Sequence, residues 1–99
     1  MKNKAISNIQ INNKLVKVTK YFFMPGQETG LHKHLYDYIV TPMTAGKLLL
    51  VDKNGSESNY ILKASHSYFR KAGVEHNVIN NGKKKLIFIE TELKNRKKD

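Results

Sequence analysis

Cysteine is absent from the chain, which excludes disulfides, cysteine-type zinc sites and thiol nucleophiles. Arginine is nearly absent: of 18 basic residues only Arg70 and Arg96 are arginine. Because arginine is the usual residue for bidentate phosphate and base contacts, nucleic-acid binding is a minor option despite the formal charge of +10. Apolar runs are short. The stretch Leu48 to Val51 is far below the length needed to span a bilayer, and the opening MKNKAISNIQ lacks the charged-apolar-small pattern of a signal peptide. A cytoplasmic location with no membrane partner is the expectation. Extended helical periodicity is also missing, so a helical bundle is excluded.

With 99 residues and 39% hydrophobic content, the chain suits one domain with a modest core. The whole of 1–99 reads as that domain, its core over about 14–93 and a frayed basic tail over 94–99. The remaining lysines are scattered, apart from Lys83-Lys84-Lys85 in an expected turn and KNRKK in the tail. Solvated surface charge accounts for them.

Strand and turn signals recur along the chain. KLVKVTKYFFM is rich in β-branched and aromatic residues and ends at Pro25-Gly26. LHKH and YDYIVT follow, the second stopped by Pro42. GKLLLVD and SESNYIL flank Asn54-Gly55, a strong hairpin signal. SYFR runs into Ala72-Gly73, HNVIN follows, and Asn81-Gly82 precedes a last strand in KKKLIFIETEL. About eight short strands without helices predict an all-β antiparallel sandwich or barrel.

Within this pattern TGLHKHLYDYIV is the unusual stretch. Residues i and i+2 of a strand share a face, so His32 and His34 project together, close enough to bind one ion. An isolated pair of this kind carries little weight. Gly26 and Gly46 bracket it, however, and the turn at Gly73 brings His76 to the start of another strand, with Asn80 four residues on.

Those residues resemble the two motifs of a small single-domain cupin. The first reads Gly, five residues, His-x-His, three or four residues, Glu, six residues, Gly, and Gly26, His32, His34 and Gly46 match it. The second contains Pro-x-Gly-x-x-His-x-x-x-Asn, matched by Gly73, His76 and Asn80. Similarity is greatest to the cupins known as β-alanine degradation proteins. The resemblance implies a jelly-roll β-barrel, a homodimer, and one divalent transition metal (Fe, Zn, Ni or Cu) on His32, His34 and His76. Lys71 replaces the motif proline, and Ile39 stands where counting back from Gly46 places the motif glutamate. Asp37, on the same strand face as Ile39, is the candidate substitute, as a ligand, as an orienting partner of an imidazole, or as a proton-handling catalytic group.

Other residues have plainer readings. Alternation sets Tyr36 and Tyr38 opposite Ile39, away from the cavity, with Ile39, Leu48, Leu50 and Phe88 as its wall. Arg70 could hold a substrate carboxylate, but a contact between subunits is the preferred role. Glu90 shares a face with Leu86, Phe88 and Glu92 and approaches the cavity mouth, where a salt bridge to a lysine is expected. His66 reads as a surface loop residue, and Asn80 as a structural one at a strand end.

Two functions from different classes fit. One is a metalloenzyme acting on a small polar or anionic metabolite by dioxygenase-type or Lewis-acid chemistry, for which the resemblance implies a link to β-alanine catabolism. The other is a non-catalytic module that holds a small ligand or metal. A lyase or isomerase is a third, although no inward base is evident from the sequence.

Overall fold

The computed structural model describes residues 3–94; the tail residues 95–99 lie outside the described residues. The described residues form nine strands in two antiparallel sheets. The first has the order β1 (Ile6–Asn12), β2 (Val16–Phe23), β9 (Leu86–Leu93), β4 (Asp37–Pro42), β7 (Tyr68–Arg70). In the second the order is β3 (His32–Lys33), β8 (Glu75–Asn80), β5 (Gly46–Asp52), β6 (Glu57–Leu62). This is the expected jelly-roll sandwich. No helix of the described residues is long and apolar enough to cross a membrane.

Alternation of side chains builds the core. Tyr38, Val40 and Pro42 of β4 are buried while Asp37, Ile39 and Thr41 are not, and Leu86, Phe88 and Glu90 of β9 follow the same period. Phe23, Leu48, Leu62, Val78, Leu86 and Phe88 pack between the sheets. Tyr21, Phe23 and Phe88 form tilted aromatic pairs with centroids 5.4–6.3 Å apart.

Turn chemistry sets the connections. Asp52 Oδ1 accepts from Asn54 N and Ser56 N, and Gly55 takes φ 88° in the β5–β6 hairpin. Gly73 at φ 103° closes the turn into β8, a conformation that disfavours any residue with a Cβ. Asn81-Gly82 is not a hairpin turn of the same kind. It is a bend that carries the chain from β8 in one sheet to β9 in the other.

Two expectations change here. The sheet begins earlier than residue 14, because β1 pairs with β2 from Ile6↔Phe22 to Asn12↔Lys17. Polar residues alternate with isoleucines in ISNIQIN, but all seven positions are exposed, so no buried face marked the strand. Tyr38 points inward and Ile39 outward, the reverse of the sequence expectation. Core packing of Tyr38, Val40 and Pro42 fixes the parity of β4, and the turn at 43–45 interrupts any count made back from Gly46.

Candidate metal centre

β3 and β8 pair with His32 opposite His76, so the two imidazoles leave adjacent strands side by side. His34 follows one residue past β3, held by His34 N donating to Val74 O and Gly73 N donating to His34 O, both at 2.8 Å. His34 Nε2 lies 3.1 Å from His32 Nε2 and 3.1 Å from His76 Nε2. The three rings meet edge to face, at interplanar angles of 69–85°.

This spacing suits a metal. With metal–nitrogen bonds of about 2.1 Å, two ligand nitrogens stand about 3.0 Å apart at a right angle and about 3.4 Å apart at the tetrahedral angle. The observed separations fall between those limits. Protonation agrees. Burial, then the neighbouring His32 and His76, lowers the His34 pKa to about 3, and burial, then His32 and Arg70, lowers that of His76 to about 4. Both are neutral imidazoles at physiological pH. The His32 tautomer follows from its contact with Gly30 O at 2.9 Å: a carbonyl only accepts, so Nδ1 carries the proton and Nε2 presents its lone pair to the cluster. Asn77 steadies that loop, since its Oδ1 accepts from Gly30 N at 2.9 Å while its Nδ2 donates to Glu28 Oε1 at 3.2 Å.

Acidic groups arrive from the opposite sheet. Carboxylate oxygens of Glu90 and Glu92 and a ring nitrogen of His34 lie within 4.8 Å of one another. Glu90 is only 8% exposed. Burial, then repulsion from Glu92, raises its pKa to about 7, against a smaller lowering by Lys17. The sequence placed Glu90 near the mouth but preferred a lysine salt bridge; the structure sets it against the histidines. Its inward parity with Phe88 was the available signal.

The remaining candidates separate. Asp37 sits on the outward face of β4, where its Oδ1 accepts from Ala72 N at 2.9 Å, and it belongs to neither donor cluster. Tyr38 takes the inward place, its ring stacked on His34 at 3.9 Å and 17°. Burial first, then Glu90, raises its phenol pKa to about 12, so it remains protonated. Arg70 also faces inward, its guanidinium 4.6 Å from the Tyr68 ring centroid and 5.0 Å from that of Tyr60. Within the chain it stacks on two tyrosines beside His76. His66 is exposed, and Asn80 is buried at a strand end, as expected.

Among the spaces that adjoin the histidines, two also border Glu90. Inside the barrel, Tyr38, Arg70, His76 and Glu90 border a cavity of about 30 Å³, room for about one water. Outside, a cavity of about 320 Å³ opens over His32, His34, Glu90 and Glu92, with Lys4, Lys17 and Lys33 on its walls. A small molecule can reach the site from that side.

Comparison with known proteins agrees with this geometry. No protein-family model matches the chain. The β-alanine degradation protein BauB of Pseudomonas aeruginosa is 49% identical over 90 residues, covering 91% of this chain and 94% of that protein. The crystal structure of a cupin domain from Bordetella pertussis Tohama I is 48% identical, with a TM-score of 0.89 over 96% of this chain and 99% of that one. A conserved protein with a double-stranded β-helix domain from Klebsiella pneumoniae shares the fold at 23% identity, with a TM-score of 0.75 over 95% of this chain and 80% of that one.

Proposed function

Since the chain belongs to the single-domain cupins that include BauB, we propose that it is a metalloenzyme for a small anionic metabolite. The observation that carries this reading is the convergence of three imidazole nitrogens, two of them from histidines that line a lysine-walled mouth. His32, His34 and His76 would hold one divalent ion, iron, zinc, nickel or copper. Glu90 would complete the donor set in place of the carboxylate missing from β4. A desolvated carboxyl next to a second one is stabilised by a cation, so ion binding drives its proton off.

When bound, such an ion supplies Lewis acidity or a site for dioxygen chemistry. The chain's own residues do the rest. Lys4, Lys17 and Lys33 attract and orient a carboxylate at the mouth. Stacked on His34, Tyr38 fixes the ring plane and keeps bulk water from the inner side. Asp37 holds the turn before β8 by accepting from Ala72 N. BauB is named for β-alanine degradation, and a carboxylate of β-alanine's size fits a mouth of about 320 Å³.

A holding module without turnover is the second reading, favoured by the inner cavity of about 30 Å³, which leaves little room behind the ion for a reaction partner. Metal analysis of untagged protein, followed by turnover assays chosen by the metal, tests both. Iron directs the assays to oxygen uptake, and zinc to hydrolysis, elimination and isomerisation. Protein that neither contains nor takes up a divalent ion sinks the metalloenzyme and leaves a module that holds a small ligand. Stoichiometric ion without turnover of any small carboxylate leaves the holding module.

A further inference from the structure

A cavity larger than either of those at the histidines lies at the other end of the barrel. His76 opens β8 and Glu90 nears the end of β9, whereas this second cavity gathers the end of β8 (Asn80), the start of β9 (Leu86) and the paired ends of β5 and β6 (Gly46↔Leu62). Its volume is about 740 Å³, within the range of small-molecule sites.

Chemically its floor and rim differ. Ala45, Ile61, Leu62, Ala64 and Leu86 make the floor and sides apolar. Asn80, the buried polar residue there, is fully committed: Nδ2 donates to Phe23 O at 3.1 Å and to Lys84 O at 2.9 Å, while Oδ1 accepts from Gly82 N at 3.0 Å. A ligand therefore meets a floor whose buried polar side chain is already hydrogen-bonded. The rim carries Lys47, Lys63, Lys83 and Lys84, and among the described residues no aspartate or glutamate lines the cavity. Two lysines of the Lys83-Lys84-Lys85 run thus border an apolar hollow instead of merely facing solvent. The opposite wall, 63–66, is set by Ser65 N donating to Pro42 O at 2.9 Å and by Ser65 itself at φ 68°, a left-handed conformation uncommon for a residue with a Cβ.

From this pairing of an apolar hollow with a cationic, acid-free rim, we infer that the cavity binds a free amphipathic anion, a medium-chain carboxylate. The chain would lie on Ile61, Leu62 and Leu86 and the carboxylate among the lysines. Charge disfavours a second copy as occupant: the chain carries +10 and only 8 acidic residues, so self-association here would oppose like charges. A nucleic acid would leave the apolar floor unused, and a flat bilayer would not reach into a hollow.

Calorimetric titration of the full-length protein with decanoate tests this. Expected is saturable binding of one decanoate per chain, with decanol and acetate each weaker by about tenfold or more, one lacking the charge and the other the chain. Lys63→Glu/Lys83→Glu, which alters exposed residues only, should weaken decanoate by about tenfold or more with an unchanged melting temperature. Ala64→Trp should weaken it with every lysine in place, and His34→Ala should leave it intact. Absence of saturation below millimolar concentration overturns the inference, as does equal affinity for decanol. So does a charge-reversed variant that binds as well as wild type, or that changes oligomeric mass and so gives the hollow to a second copy.

Discussion

His34 Nε2 and His76 Nε2 stand 3.1 Å apart although 42 positions separate them in the chain. The contact exists because His34 continues the β3–β8 pairing, through its amide on Val74 O, one residue beyond the last paired strand position. Two neutral imidazoles so placed present their lone pairs to one point.

Metal retention should depend on that point. Untagged wild-type protein should carry about one divalent ion per chain, and His34→Ala almost none. Glu90→Gln keeps three imidazoles and should weaken affinity by about 10- to 100-fold. Competition with a chelator of known affinity measures each value. Equal affinity of wild type and Glu90→Gln would remove Glu90 from the donor set.

Orientation of His32 should matter almost as much as its presence. Asn77→Ala removes the acceptor for Gly30 N and so frees the carbonyl that fixes His32 Nδ1–H. Metal affinity should fall by about tenfold or more while the circular dichroism spectrum is retained. A variant with wild-type affinity would show that the loop holds itself.

Stability of the metal-free protein should follow two opposed titrations. His34 and His76 have folded pKa values of about 3 and about 4, below the ordinary 6.5. Protons then bind the unfolded chain more readily, so their contribution is present above pH 6.5 and is lost as pH falls toward 4. Glu90 runs the other way: its folded value of about 7 exceeds 4.5, so stability declines as pH rises from 4.5 through 7. Glu90→Gln removes only the second effect. Its melting temperature should exceed that of wild type by a margin that widens across that interval, reaching about 4 °C or more near pH 8. A margin independent of pH would mean that Glu90 does not titrate there.

Asn80 is the fourth test. Its amide serves Phe23 O and Lys84 O and receives Gly82 N, all at a position 1% exposed. Asn80→Ala strands these backbone groups and should cost about 1–3 kcal/mol for each left unpaired. Denaturant unfolding measures it. A loss below about 0.5 kcal/mol would show that water replaces the side chain.

Much of this was legible in the sequence. Turn residues and period-two alternation revealed eight strands, and the glycine-framed histidines revealed the three imidazoles. β1 stayed hidden because none of its seven residues is buried, and only hydrophobic burial imprints a pattern. Parity in β4 was misjudged because counting ran through a turn, and with it the inward role of Tyr38. Glu90 and Arg70 were visible as residues, but their partners lie on other strands. No local spacing encodes that a β9 carboxylate comes to rest beside His34 or that Arg70 lies on Tyr60 and Tyr68.

The two ends of the barrel are fastened by different means. At one end a neutral amide clips β8 to β2 and to the connection just before β9, and no change of pH loosens it. At the other the sheets meet through imidazoles and carboxyls whose charge follows the solvent. Acid should therefore unzip the metal-free sandwich directionally, from the histidine end toward Asn80. Hydrogen exchange near pH 4 should find the amides of His34 and Gly73 opening well before that of Asn80. Simultaneous opening at both ends would show one cooperative unit instead.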